Sequence, residues 1–157
     1  GSGGIKFKAS ATDSSDVNTL DDYEEGTFTP TLLGTSGEAT YGSGSEGHYT
    51  KIGRVVHCLI GLTMTNKNTL SGQLKFGGLP FTVGDNYSYS SLEAVGNIGY
   101  IDGLADAVSS LYLTAFQSTA TAHWYMFDGT GATATVAVLP ADIDDAMNCR
   151  AQIIYCV

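Results

Sequence analysis

Val55-Val56-His57-Cys58-Leu59-Ile60-Gly61-Leu62-Thr63-Met64-Thr65 is the stretch whose reading decides the fold. Side chains of an extended chain alternate between two faces. Val56, Cys58, Ile60, Leu62 and Met64 therefore share one face, and Val55, His57, Leu59, Gly61 and Thr63 share the other. The first face is wholly apolar and the second is only half polar. A strand of this kind is central in its sheet or meets a partner subunit. His57, Gly61 and Thr63 also interrupt the run far short of the roughly 20 apolar residues of a membrane-spanning helix.

Working outward, residues 48–52 precede this strand and form a hairpin with it over Gly53-Arg54. Residues 27–33 read as a strand in which Pro30 points to an edge position. Residues 34–47 form a loop with a short strand near 39–41. Asn66-Lys67-Asn68 is a turn, 70–76 a strand, and Gly77-Gly78-Leu79-Pro80-Phe81 a tight connection. In a strand over 87–97, Tyr87, Tyr89, Ser91, Glu93 and Val95 share a face. Strands follow at 111–117, 121–128 and 132–139, the last two joined over Gly129-Thr130-Gly131. Residues 140–148, with Asp142, Asp144 and Asp145, predict one helical turn before a closing strand at 149–157. Ile101, Leu104, Val108 and Leu111 have helix-like spacing, but Gly99 and Gly103 argue for a loop. Short strands at this spacing predict an all-β domain, an antiparallel β-sandwich or jelly roll over residues 27–157.

Composition agrees. Gly, Ser and Thr supply about one residue in three, charged residues only 15%, and aromatics 10%. A disordered chain would be poorer in aromatics and richer in charge. Seven basic against sixteen acidic residues give a net charge of −9. This disfavours a nucleic-acid surface, which needs clustered Lys and Arg, and an anionic membrane for the same reason. Cys58, Cys149 and Cys156 lack metal-ligand spacing and read as buried, reduced thiols. Neither a metal nor a cofactor is expected. Residues 1–26 differ from the rest. Gly1-Ser2-Gly3-Gly4 reads as a tag scar. Residues 5–26 carry Lys6 and Lys8 against Asp13, Asp16, Asp21, Asp22, Glu24 and Glu25, and read as an extended acidic arm or neck.

Three motifs carry a resemblance. Thr19-Leu20-Asp21-Asp22-Tyr23-Glu24-Glu25-Gly26-Thr27-Phe28-Thr29-Pro30 resembles a segment in the C-terminal parts of bacteriophage tail fibres and tailspikes. Gly47-His48-Tyr49-Thr50-Lys51-Ile52-Gly53-Arg54-Val55-Val56 is similar to that family's Tyr-Thr-Lys-Ile-Gly hairpin. Gly78-Leu79-Pro80-Phe81 is similar to its Gly-Leu-Pro-Phe turn. Phe28 stands where the family typically has Trp, so an aromatic anchor is retained. The resemblance implies a homotrimeric β-domain that follows an upstream fibre stem. Such a domain contacts a bacterial surface glycan, or locks and terminates the trimer without binding. It implies a virion component assembled in the host cytoplasm, and no enzyme. A tumour-necrosis-factor-like trimeric ligand domain is the remaining alternative, against which the acidic motif argues.

The residues themselves offer three kinds of chemistry. Asp21, Asp22, Glu24 and Glu25 can be a solvated acidic face, a salt-bridged joint to Lys51 or Arg54, or a Ca²⁺ site. Catalysis has little to work with: His48, His57 and His123 are the only histidines, and no nucleophile elbow occurs. Saccharide binding needs aromatic faces with hydrogen-bonding neighbours. His123-Trp124-Tyr125-Met126-Phe127-Asp128 is the densest such stretch, with Trp124 and Met126 on one face and His123, Tyr125 and Phe127 on the other. The candidate carbohydrate residues are Trp124, Tyr125, His123 and Asp128, with Tyr87 and Tyr89 as a second pair; packing in the core or a trimer is the competing role. Val55, His57, Leu59 and Tyr23 are the candidate trimer contacts, because a threefold interface needs apolar, weakly charged strand faces.

Overall fold

The computed structural model describes residues 3, 22–85, 92–105, 108, 110–127 and 135–157. The tightest constraint on the architecture is a two-residue link. Strand β1 (Tyr23–Phe28) is followed by β2 (Thr31–Leu33), with Thr29 and Pro30 between them. The other strands are β3 (Thr40–Tyr41), β4 (Glu46–Ile52), β5 (Val55–Asn66), β6 (Lys75–Gly77), β7 (Leu92–Leu104), β8 (Ser110–Phe116), β9 (Ala122–Phe127), β10 (Val136–Ala137) and β11 (Ile143–Cys156). They form one antiparallel sheet in the order β1-β4-β5-β11-β7-β8-β9-β6-β2, with β3 added on β5 and β10 on β9. β1 and β2 thus occupy opposite ends of this order. Laid flat, nine strands would separate those ends by nearly 40 Å at about 4.8 Å per strand. The link spans only about 10 Å. The sheet is therefore curled until its two ends meet, and its inner surface encloses the core.

Alternation along β5 sets that core. Val56, Cys58, Ile60, Leu62 and Met64 are all buried. Ile153, Ala151, Cys149 and Met147 of β11 lie opposite Cys58, Ile60, Leu62 and Met64. From the other half of the curl come Phe76, Leu113, Ala115, Ala122 and Trp124, together with Leu32 and Leu74. Tyr155 closes one end: its hydroxyl donates to the Phe81 carbonyl at 3.2 Å and accepts from the Phe81 amide at 3.3 Å. Burial pushes the Tyr155 phenol well above its ordinary pKa, and the Cys58 and Cys149 thiols up to about 12.

The all-β expectation stands, with five local differences. The strand expected over 27–33 is broken at Pro30, which has no amide hydrogen to continue a ladder. β1 starts at Tyr23, so Tyr23–Gly26, read from sequence as arm, are strand. The loop expected around 101–104 is strand. β7 runs on to Leu104 against β11, and register shifts between the pairs Ile143–Leu104 and Asn148–Asp102, and again at Arg150–Ala151, accommodate the irregular apolar spacing. The helical turn expected in 140–148 is confined to a 3-10 turn over Pro140–Asp142, where the Asp142 carboxylate accepts from the Leu139 amide at 2.7 Å. Residues 70–74 do not form a strand, yet Leu74 bridges β9 and the residue that follows β10. Its amide bonds the Val138 carbonyl, and its carbonyl accepts from the Trp124 amide.

Candidate functional site

The curl leaves one broad face outward on β4, β5, β11 and β7. Register places His48, Leu59, Gln152 and Asn97 in one cross-strand row, and Thr50, His57, Ile154 and Val95 in the next. Ile52 and Val55 extend the face toward the β4–β5 turn, where Tyr23 of β1 pairs with Ile52. Ile52, Val55, Leu59, Val95, Tyr100 and Ile154 are large apolar side chains left exposed, Val95 most of all at 77%. A polar thread crosses between them: His57 Nε2 lies 3.2 Å from Gln152 Oε1, and Gln152 Nε2 donates to Asn97 Oδ1 at 3.0 Å. This thread links side chains of three strands and runs between the exposed apolar groups. An open groove of about 400 Å³ borders it, lined by Glu46, His48, Leu59, Gly61 and Arg150. The sequence-derived candidates Val55, His57, Leu59 and Tyr23 all fall on this face. Sequence reading missed Ile154, Val95 and Gln152; the alternation of 149–157 and 92–97 carries that signal.

A second outward feature lies on β8 and β9. Tyr112 stacks on Tyr125 with ring centroids 5.6 Å apart and planes 16° from parallel, and Phe127 adds a third ring at 5.7 Å from Tyr112. Further along the same face His123 meets the edge of Phe116 at 4.8 Å, and its Nδ1 lies 3.3 Å from Gln73 Oε1. Burial first, and the nearby Lys75 charge second, hold the His123 imidazole below its ordinary pKa. The period-two division of 123–127 is therefore the observed one, but it removes the central candidate. Trp124 is the inward member: it is fully buried, packs on Phe76 at 4.8 Å, and belongs to the core, out of reach of a saccharide. Tyr112 takes its place beside Tyr125. Tyr87, Tyr89 and Asp128 lie outside the described residues.

The acidic segment is resolved by its partners. The Asp22 carboxylate pairs with the Lys51 ammonium, Glu24 accepts from the Tyr49 hydroxyl, and Glu25 accepts from the Tyr23 hydroxyl. The bond to Glu24 raises the Tyr49 phenol to about 12. The salt-bridged reading thus describes Asp22, with Lys51 as the partner. Among the described residues no group of three or more His, Cys, Asp or Glu side chains is placed to hold a metal ion.

Neither the protein-family models nor the curated proteins contain a match to this chain. Among solved structures, the Dettilon tailspike protein (gp208), known from a crystal structure, shares the fold with a TM-score of 0.70 at 19% identity. The alignment covers 85% of this chain and 23% of that one, so this chain spans under a quarter of its neighbour's length. The structural neighbour is thus a phage tailspike protein, and what is shared is the fold of one part of it.

Proposed function

We propose that this chain is a phage tail-associated β-domain that assembles as a homotrimer through the outward face of β4, β5, β11 and β7, following an upstream stem of the fibre or spike. The observation that carries the reading is that face: Val95 and Ile154 are cross-strand partners, Val55 and Leu59 lie two residues either side of His57 in the same row as that pair, and all four are exposed. A patch of this kind on a soluble chain marks an interaction site. The likeness to part of a tailspike protein supports the phage setting, and hence a place in the virion. In the assembly the domain would register three chains and end the spike. Sedimentation equilibrium at micromolar concentration tests this. A trimer mass is expected, and a stable monomer would refute the assembly.

A second role is favoured by the Tyr112–Tyr125 stack. Half-buried aromatic faces turned outward, with His123 nearby, offer a stacking surface and hydrogen-bond partners for a sugar ring of the bacterial surface. A shallow site binding near millimolar, about −4 kcal/mol, gains avidity from three copies. Tyr125→Ala should abolish binding to host cells while leaving the trimer intact. Unchanged cell binding would eliminate this role and leave a trimer-locking cap.

A further inference from the structure

None of the six residues of strand β1 is fully buried, yet the strand is fastened at three points. At its start, the Asp22 carboxylate pairs with Lys51, whose side chain is only 11% exposed and whose ammonium also lies 5.8 Å from the Phe81 ring centroid. The Asp22 carbonyl accepts from the Gly53 amide at 2.7 Å. Along its middle, two glycines receive two rings. Tyr49 lies over Gly26 and Phe28 over Gly47, so closely that a Cβ at either glycine would enter the ring's envelope. These are reciprocal cross-strand pairs, since Gly26 is opposite Tyr49 and Phe28 opposite Gly47. At its end, exposed Thr29 and buried Pro30 rest on Gly78, whose φ of +76° and closeness to the Thr29 carbonyl leave no room for a side chain. The three motifs singled out from sequence therefore meet at this one strand.

We propose that β1 is a separable strap: Asp22 and Lys51 form its latch, Thr29-Pro30 its hinge, and the strap can peel from the edge of β4 while the rest of the sheet stays folded. The geometry favours such a division. Peeling β1 from β4 leaves the β4–β5 and β5–β11 ladders paired, and the one β1 ring it draws away from the core is the half-buried Phe28. The hinge is pinned by Gly78, so opening stops at Pro30 and does not reach β2. The latch is the strongest of the three fastenings to break chemically. Removing the carboxylate leaves a nearly buried ammonium uncompensated, which is costly. Lifting the strap lets water reach Lys51 and relieves that cost, so the penalty falls on β1 rather than on the core. Local opening of this kind is read directly by native-state hydrogen exchange.

The test compares amide exchange in the parent, Asp22→Asn and Lys51→Met, at neutral pH. Lys51→Met keeps an apolar stem against Phe81 and removes the charge. Exchange of residues 23–28 should quicken at least tenfold in both variants, the double variant should be no faster than either single one, and residues 56–64 and 147–155 should keep the parent rates. If Lys51→Met does not fold, Asp22→Asn still decides the matter. Equal acceleration in β1 and in the core would overturn the strap, because β1 would then be integral to the cooperative unit. Unchanged exchange in β1 would overturn the latch.

Discussion

Replacing Val95 with glutamate puts a charge at the most exposed point of the outward face, opposite Ile154 and one strand from Thr114. In the isolated chain the position is open to water, and such substitutions usually change stability by no more than about 0.5 kcal/mol. In a trimer closed over this face the consequences differ. At about 2 kcal/mol for an aliphatic side chain taken wholly out of water, Val95 at 77% exposure has about 1.5 kcal/mol still to gain, and Val55, Leu59 and Ile154, each near half exposed, about 1 kcal/mol each. The face thus offers each protomer about 4–5 kcal/mol of apolar burial. A glutamate forfeits the Val95 share and adds the several kcal/mol needed to desolvate an unpaired carboxylate. The loss per protomer exceeds the whole apolar gain, and the chain's net charge of −9 offers it little relief. Val95→Glu is therefore expected to run as a monomer by sedimentation at micromolar concentration, with its far-ultraviolet circular dichroism unchanged. A variant that remains a trimer would show that the interface lies elsewhere on the molecule.

Trp124→Ala should cost about 3–5 kcal/mol in a denaturant titration, as for a large aromatic removed from a packed core, and a near-neutral result would contradict its burial. His123, held below 6.5 by burial and Lys75, is neutral in the fold but protonates more readily once unfolded. Its contribution is complete above about pH 6.5 and is lost as pH falls through the lowered folded value. His123→Gln should flatten the melting temperature between pH 7 and 5, and an unaltered slope would assign the effect to other groups. Cys58 and Cys149 are buried free thiols with pKa raised to about 12. They should resist iodoacetamide at pH 8 until the protein is unfolded, and reductant should leave the melting temperature unchanged.

Sequence revealed most where one face of a strand is core. The alternation in 55–65 named every buried residue of β5, because a period of two admits only two faces and one of them was wholly apolar. The same logic divided 123–127 correctly but could not say which face pointed inward, since both carried aromatics. Phe76 decides it, by packing on Trp124 from β6. The extension of β7 beyond 97 was illegible for a related reason. Register shifts against β11 break the alternation, so Ile101 and Leu104 fall at spacings that mimic a helix. The β1–β4 joint was half legible. Lys51 could be named as a partner for the acids from the scarcity of basic residues, whereas the two glycine–ring pairs depend on a cross-strand register that sequence does not contain.

Strand order has a consequence for the order of synthesis. β11 lies between β5 and β7, at the centre of the sheet, yet it is translated after both. Until residues 143–156 emerge, β5 and β7 each present an unpaired edge, and the apolar row from Val56 to Met64 lacks its neighbours. A nascent chain therefore cannot complete this domain in the direction it is made. Its long-range pairings must form late, which slows folding and lengthens the time during which sticky edges are open. Premature termination within β11 would leave two exposed strand edges at the middle of the sheet rather than a slightly shortened domain, and the natural fate of such a fragment is aggregation.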